Sequence, residues 1–453
     1  MAIRKKVAIK RIIVKNLFGL YNYEIPQENE RKDIDTILIL YGENGSGKTT
    51  ILKLIFHLLA CELKMGHKTF VAQTKFNSIE IQFINGFEVC AFRKGQSLLG
   101  SFEMQLRRKG RIIGKTDFVA DTQNVIQSGT KEERQNDKFM RTLSILNLSI
   151  YLLSDDRTVQ MTIPKPLQKS HYERHLDEEF LYPQMGLEVS RQRPIESEKV
   201  DPEQITLWLL ERSIERATAW IRQQSMRGST QGEYDVNLIY SDIIEKIASA
   251  PSRKKPQTNI SREDLFGRII NVEQRSENFS KFGLTPRLNG SKLLHQIRKT
   301  SGRQFSMVRS ILLPYLDSFA AKLDALNEIQ DRIQTLTDTI NSFLVDKTLR
   351  FDIAKGFTIK SQNKEELAPS MLSSGERHLL LLFCNTITAL DKQSIFIIDE
   401  PEISLNVKWQ RELIASLLDC VRDSAIQYIF ATHSMEILSQ HMNKVVKLEP
   451  KRE

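Results

Sequence analysis

The run Gly42-Glu43-Asn44-Gly45-Ser46-Gly47-Lys48-Thr49-Thr50 fits G-x-x-x-x-G-K-[ST] and directly follows the apolar stretch Thr36-Ile37-Leu38-Ile39-Leu40-Tyr41. Glycines at these places let successive backbone N–H groups curl inward onto phosphate oxygens, and a helix starting at the lysine adds its dipole. The pattern carries that meaning only between a strand and a helix. The aliphatic, β-branched run supplies the strand, and Ile51, Leu52, Leu54, Ile55 and Leu58 recur at helical spacing behind it. Residues Asn44, Gly45, Ser46, Gly47, Lys48, Thr49 and Thr50 are therefore expected to bind a nucleoside triphosphate. Lys48 is expected at the β/γ-phosphates and the Thr49 hydroxyl on Mg²⁺.

Three further groups could complete that chemistry. Ile395-Phe396-Ile397-Ile398-Asp399-Glu400-Pro401 is an apolar strand ending in two acids. Asp399 at a strand's carboxyl end suits a metal ion, and Glu400 suits orientation or deprotonation of an attacking water. Without the cradle, the same run reads equally well as a surface turn. Met371-Leu372-Ser373-Ser374-Gly375-Glu376-Arg377 precedes a very apolar helix. Serine followed by glutamate is a helix cap; Ser373 with the Gly375 backbone also reads as a second anion site. Ala431-Thr432-His433-Ser434 ends another apolar run, so His433 is either structural or a donor to a terminal phosphate.

These groups need strands to hold them. Val7–Ile9, Ile12–Val14, Ser78–Phe83, Phe87–Phe92, Phe102–Leu106 and Leu146–Leu153 read as sheet, with Asn85-Gly86 marking a hairpin. Residues 394–398 and 427–431 are short apolar strands joined by a helix over 407–421, the alternation of a mostly parallel sheet. Between them, residues 160–345 turn helical and polar. Asp201-Pro202 opens a helix carrying Leu207, Leu210, Ile214, Ala217 and Ile221, and residues 225–233 and 250–259 read as loops. Leu323, Leu326, Ile329, Ile333, Leu336, Ile340 and Phe343 follow steps of three and four, describing one long amphipathic helix. The expected division is 1–159, 160–345 and 346–453, with the outer parts closing into one domain.

A chain of 453 residues with 27% charged residues and a net charge of +9 has room for two to three domains and favours polyanionic partners. The basic clusters Arg107-Arg108-Lys109-Gly110-Arg111 and Arg253-Lys254-Lys255 read as nucleic-acid contacts or as solvated surface. Four scattered cysteines argue against a disulfide framework or zinc hook. With no apolar leader and no run long enough for a bilayer, the cytoplasm is the expected place and a membrane is not.

Together the motifs resemble the ABC-type ATPases of the RecF, SMC and OLD-like group. Gly42–Thr50 stands as Walker A, Leu372–Glu376 as the signature and Ile395–Glu400 as Walker B. Ser404-Leu405-Asn406 stands as the D-loop and His433 as the switch histidine. The resemblance covers both outer parts, about half of the chain. It implies an α/β fold: an ABC-type P-loop ATPase head, mixed sheet plus antiparallel β-subdomain, with a largely α-helical insertion containing a long amphipathic or coiled-coil helix. It implies ATP with Mg²⁺ held by Thr49 and Asp399, Glu400 and His433 as catalytic residues, and a head-to-head dimer. In that dimer Ser373, Ser374, Gly375 and Glu376 act in trans. Ser374 departs from the glycine usual in transporters. The Q-loop is sought at Leu153-Ser154-Asp155-Asp156-Arg157, where Arg157 reads as an interface or phosphate arginine or as a surface ion pair.

The insertion is too short for SMC arms, and with 20 residues after His433 a C-terminal Toprim nuclease is not expected. No HNH signature is present. That combination looks like the stand-alone ATPase subunits of bacterial anti-phage systems, PARIS or Septu in type. The implied partners are further copies in a homo-oligomer, a separately encoded Toprim or HNH nuclease, and a phage protein as trigger. The competing reading is a RecF/SMC-like DNA-repair ATPase clamping DNA.

Overall fold

The computed structural model describes residues 7–27, 36–63, 65–126, 130–155, 159–162, 202–248 and 260–449. Arg157, residues 250–259 and the Arg253–Lys255 cluster lie outside these described residues. Strands β1 (Ile9–Leu17), β2 (Tyr21–Ile25) and β3 (Ile37–Tyr41) lead into helices α1 (Lys48–Leu59) and α2 (His67–Gln73). Strands β4 (Ser78–Phe83), β5 (Phe87–Arg93), β6 (Phe102–Arg108) and β7 (Arg111–Phe118) follow, then α3 (Thr130–Leu143), β8 (Ser149–Leu153) and β9 (Val159–Thr162). Helices α4 (Pro202–Ala248), α5 (Arg262–Ser280), α6 (Gly290–Arg298) and α7 (Gly302–Phe343) precede β10 (Lys347–Asp352), β11 (Gly356–Ser361) and β12 (Glu366–Leu367). The chain closes with α8 (Ser374–Thr388), β13 (Ser394–Asp399), α9 (Val407–Cys420), β14 (Ile426–Thr432), α10 (Met435–Ser439) and β15 (Val445–Lys447).

The chain forms two compact units, one of Met1–Leu209 with Ala389–Glu453 and the other of Leu210–Thr388. The first unit is built on two sheets. One runs β15-β3-β14-β13-β8-β9 and is parallel except for β9, which returns antiparallel on β8. Every residue of β8, β13 and β14 is buried, as expected for strands covered on both faces. The second sheet, β2-β1-β4-β5-β6-β7, is antiparallel throughout. Gly86, at φ 81°, makes the tight β4–β5 connection that Asn85-Gly86 predicts. Helix α1 shares one core with strands of both sheets, which is why Ile51, Leu52, Leu54, Ile55, Phe56, Leu58 and Leu59 are all buried rather than confined to one stripe. Gln427 ties the sheets directly: its side chain accepts from Ile9 N at 2.7 Å and donates to Ile9 O at 2.9 Å.

In the second unit the steps of three and four hold. Leu323, Leu326, Ile329, Ile333, Leu336, Ile340 and Phe343 are all buried along α7. Residues 225–233, expected as a loop, are instead helical within α4. The reason lies at Gly228, where an added Cβ would come within 2.9 Å of both Ala325 O and Leu326 Cδ2 of α7. Glycine there permits close helix approach; it does not turn the chain. Residues 347–367, for which no strands are expected from sequence, form the small antiparallel sheet β10-β11-β12, with Leu349 and Phe351 alternating inward along β10. No helix among the described residues is long and apolar enough to cross a membrane.

Candidate functional site

The parallel sheet carries β3, β13 and β14 side by side, with Asp399 in register with Ala431 and Thr432 with Tyr41. The cradle, the two acids and His433 therefore leave the same carboxyl edge, where open α/β sheets bind ligands. Gly45 and Gly47 take φ of 80° and 87°. Gly47 is constrained twice, since a Cβ would also stand 2.8 Å from Leu17 Cδ2 and 3.2 Å from Phe18 Cε2. Tyr23 fixes the loop from below by donating its hydroxyl to Ser46 O at 2.7 Å. Burial, with help from Tyr21, pushes the Tyr23 phenol up to about 12, so it remains a donor. Glu43, Asn44 and Gly45 form the exposed rim, and Thr49 and Thr50 are half-buried at the start of α1.

Lys48 is buried, with its three ammonium donors spoken for. Nζ donates to Gly42 O at 2.8 Å and to Glu43 O at 3.1 Å, and it lies 2.6 Å from His433 Nε2. An ammonium cannot accept, so Nε2 is the acceptor and the ring proton belongs on Nδ1. Burial lowers the Lys48 pKa, while Glu400, Asp399 and Glu402 work against that shift. A phosphate reaching Lys48 must displace at least one of these partners.

Asp399 is 1% exposed, and among the described residues neither carboxylate oxygen has a partner at full hydrogen-bond geometry. Burial raises its pKa to about 6, although the neighbouring Thr49 hydroxyl favours the charged form; Asp155 and Glu400 push upward and Lys53 downward. Two buried, unsatisfied carboxylate oxygens beside a threonine hydroxyl form a donor set for a hard divalent cation. The next residue, Glu400, takes φ 49°, a left-handed conformation rare outside glycine, and its N–H donates to Ala431 O at 2.8 Å.

Sequence reasoning missed Glu402. Its Oε1 accepts from Thr432 Oγ1 at 2.7 Å, from His433 N at 2.7 Å and from Ser434 N at 3.1 Å. Ser434 in turn caps α10, accepting from Ile437 N at 3.3 Å and donating to Gln410 Oε1 at 2.7 Å. The only sequence signal was a third acid in Asp399-Glu400-Pro401-Glu402.

The structure thus brings Lys48, Thr49, Asp399, Glu400 and His433 together in the first unit. Ser373, Ser374, Gly375 and Glu376 belong to the second. There Ser373 caps α8 reciprocally: Ser373 N donates to Glu376 Oε2 at 2.7 Å and Glu376 N donates to Ser373 Oγ at 3.3 Å. Lys347 Nζ reaches both Glu376 oxygens at 3.0 and 2.7 Å. Burial pushes the Glu376 carboxyl up, but hydrogen bonds from Lys347 and Ser373 outweigh it and leave the group below its usual range. Ser373 itself is exposed.

The family model described as an AAA ATPase domain matches residues 8–438. The Retron Ec83 probable ATPase of Escherichia coli is 30% identical over 129 residues, 26% of this chain, and the match spans only 23% of that protein's length. Among solved structures, the Smc head domain with an extended coiled coil bound to the C-terminal domain of ScpA, from Pyrococcus furiosus, overlays with TM-score 0.39 at 12% identity, covering 96% of this chain and 91% of that one. The SmcHead bound to the C-winged helix domain of ScpA gives TM-score 0.37 at 10% identity, covering 95% and 91%. With the family match running through nearly the whole chain, cradle and acids included, the chain belongs to the AAA ATPase domain family and is an ATP-binding, ATP-hydrolysing enzyme.

Proposed function

We propose that this ATPase is a Mg²⁺-dependent switch whose nucleotide site is completed by a second copy of the chain. The observation that carries this reading is the convergence of Lys48, Asp399, Glu400 and His433 on one edge of the parallel sheet. Lys48 exchanges a present partner for the β/γ-phosphates. Thr49 and Asp399 hold Mg²⁺, which when bound neutralises charge on the phosphate oxygens. Glu400 orients and deprotonates the attacking water, and His433 contacts the terminal phosphate from the loop that Glu402 holds. Ser373, Ser374 and Gly375 of the second copy face the same nucleotide, with Glu376 keeping their helix end in shape. Lys48→Ala is expected to abolish ATP binding. Glu400→Gln is expected to bind ATP, stop turnover and sediment as a dimer in ATP. ATP binding by Lys48→Ala at wild-type strength overturns the site; a Glu400→Gln protein that stays monomeric in ATP overturns the composite arrangement.

For what the switch acts on, we place a RecF/SMC-like clamp on DNA first. The net charge of +9 and the basic β6–β7 hairpin, with Lys109 and Gly110 in its turn, support it. Stimulation of ATPase activity by duplex DNA, lost when Arg107, Arg108 and Arg111 are reversed to glutamate, tests it. The second reading is a sensor and scaffold of an anti-phage complex, PARIS or Septu in type. It would hold a Toprim or HNH nuclease until a phage protein releases it, in the cytoplasm and as a homo-oligomer. Kinship with a retron ATPase favours it. Stoichiometric co-purification of a nuclease, with no DNA stimulation, would select this reading over the clamp.

A further inference from the structure

A groove of about 700 Å³ runs along α6 and the first half of α7, within the second unit. Leu288, Leu293 and Ile297 line one side, and Val308, Ile311 and Leu312 the other. Ile311 is 52% exposed, and Met307, one turn earlier on α7, is 68% exposed. The apolar surface thus continues past the groove along the helix axis. Contiguous apolar surface of this kind marks an interaction site more often than bare solvent contact.

Lys292 is the one charged residue among the groove's described lining. Between Glu277 and Asp317 the sequence carries seven Lys or Arg residues and no Asp or Glu. Lys292 stands exposed on the groove's rim and Lys299 is exposed at the end of α6. Among the described residues neither has an ion-pair partner. Other described cations of this stretch have partners: Arg309 donates to Ile260 O at 3.1 Å, Arg287 lies 3.6 Å from Glu277, and Arg298 stands 5.8 Å over the Phe266 ring. Lys292 and Lys299 thus leave positive charge without an acidic partner, among the described residues, beside an aliphatic trough.

We propose that this groove docks an acidic amphipathic helix of a partner protein. Apolar side chains at i, i+3/i+4 and i+7 enter between α6 and α7, and carboxylates on the flanks meet Lys292 and Lys299. A nucleic acid is the poorer fit, because its phosphates would gain the two lysines while its bases met an aliphatic floor. A compact small molecule would leave Met307 uncovered.

The test pans a display library of helical peptides on the full chain, all sharing one apolar face and differing in Glu, Gln or Lys on the polar face. Glu-faced peptides are expected to be enriched and to protect residues 288–312 from hydrogen exchange. Ile311→Asp, at an exposed position that leaves the fold intact by melting temperature, is expected to weaken them at least about tenfold. Lys292→Glu is expected to shift the preference away from Glu-faced peptides. The proposal is overturned by enrichment without charge preference, or by binding unaffected by Ile311→Asp. It also fails if duplex DNA gives the same footprint and is lost on Lys292→Glu alone. Self-association of the chain that Ile311→Asp abolishes would reassign the groove to a second copy.

Discussion

Glu402 holds the backbone of His433: Oε1 of the acid accepts the His433 N–H at 2.7 Å, across the connection between two neighbouring parallel strands. The same oxygen takes Thr432 Oγ1 and Ser434 N, so a single carboxylate sets the loop from which His433 reaches Lys48. Strands β13 and β14 bring their carboxyl ends together by ladder pairing alone, but the ladder does not fix where the loop after β14 points. Glu402 does.

Glu402 is thus a positioning residue, and removing it should separate turnover from binding. Hydrogen bonds to a charged group contribute about 1.5–3 kcal/mol, equivalent to a rate change of roughly 10- to 100-fold. Glu402→Ala is expected to lower kcat within that range while nucleotide affinity stays within about twofold. Glu402→Gln, which keeps an acceptor oxygen, should recover part of the loss. Steady-state ATPase kinetics beside titration with a fluorescent ATP analogue checks both; equal losses in binding and turnover would move Glu402 into the binding machinery.

Gly47 admits no side chain. Its φ of 87° disfavours any L-residue, and a Cβ would press within 2.8 Å of Leu17. Gly47→Ala should therefore cost about 1–3 kcal/mol of stability and abolish ATP binding, because relief of the clash displaces the backbone that lines the phosphates. Chemical denaturation and nucleotide titration of the purified variant measure the two effects.

Much of this arrangement could be read before folding. The mostly aliphatic runs ending at Tyr41, Asp399 and Thr432 form parallel strands, which are covered on both faces and so accept apolar residues at successive positions. Order along the chain then brings Lys48, Asp399 and His433 to one edge. The parts that stayed hidden depend on tertiary proximity. Gly228 looks like a loop residue until Ala325 and Leu326 stand against it. Gln427 is polar in a strand read as apolar, and it makes sense only once Ile9 of the other sheet is its partner. Glu402 was one acid beyond the recognisable pair, and its three donors come from a segment some thirty residues away.

The end of the cradle helix carries a pH-sensitive contact. His57 Nδ1 lies 2.9 Å from His67 Nδ1, and Lys68 Nζ donates to His57 O, Leu58 O and Ala60 O. Burial, the His67 neighbour, Lys68 and Lys53 bring His57 down to about 3; burial and Lys68 bring His67 down to about 4. Both folded values lie below the unfolded value near 6.5. Between about pH 6.5 and 4 the unfolded chain takes up protons that the folded one refuses, so stability falls as pH falls. The loss is on the order of 2 kcal/mol per histidine at pH 5. Urea midpoints at pH 7.5 and 5 should differ more for the wild type than for His57→Leu; equal differences would remove this pair from the acid response.

The helix cap at Glu376 offers a last separation, between holding α8 and serving a nucleotide. Glu376 is 5% exposed, binds Lys347 through both oxygens and accepts from Ser373 N at 2.7 Å. Glu376→Ala leaves the Lys347 ammonium unpaired in a half-buried place and strips one donor of α8 of its acceptor. The expected cost is about 1–3 kcal/mol. Glu376→Gln keeps an acceptor for Ser373 N but not the charge for Lys347, and should fall between the two. If Ser373–Glu376 serve only the second copy's nucleotide, monomeric ATP affinity should be unchanged in both variants. If the signature acts in trans, turnover should fall and become dependent on protein concentration. Lost ATPase activity that mixing with the Lys48→Ala protein partly restores would assign Glu376 to the partner's nucleotide, since the Lys48→Ala chain supplies an intact α8 to the variant's intact cradle.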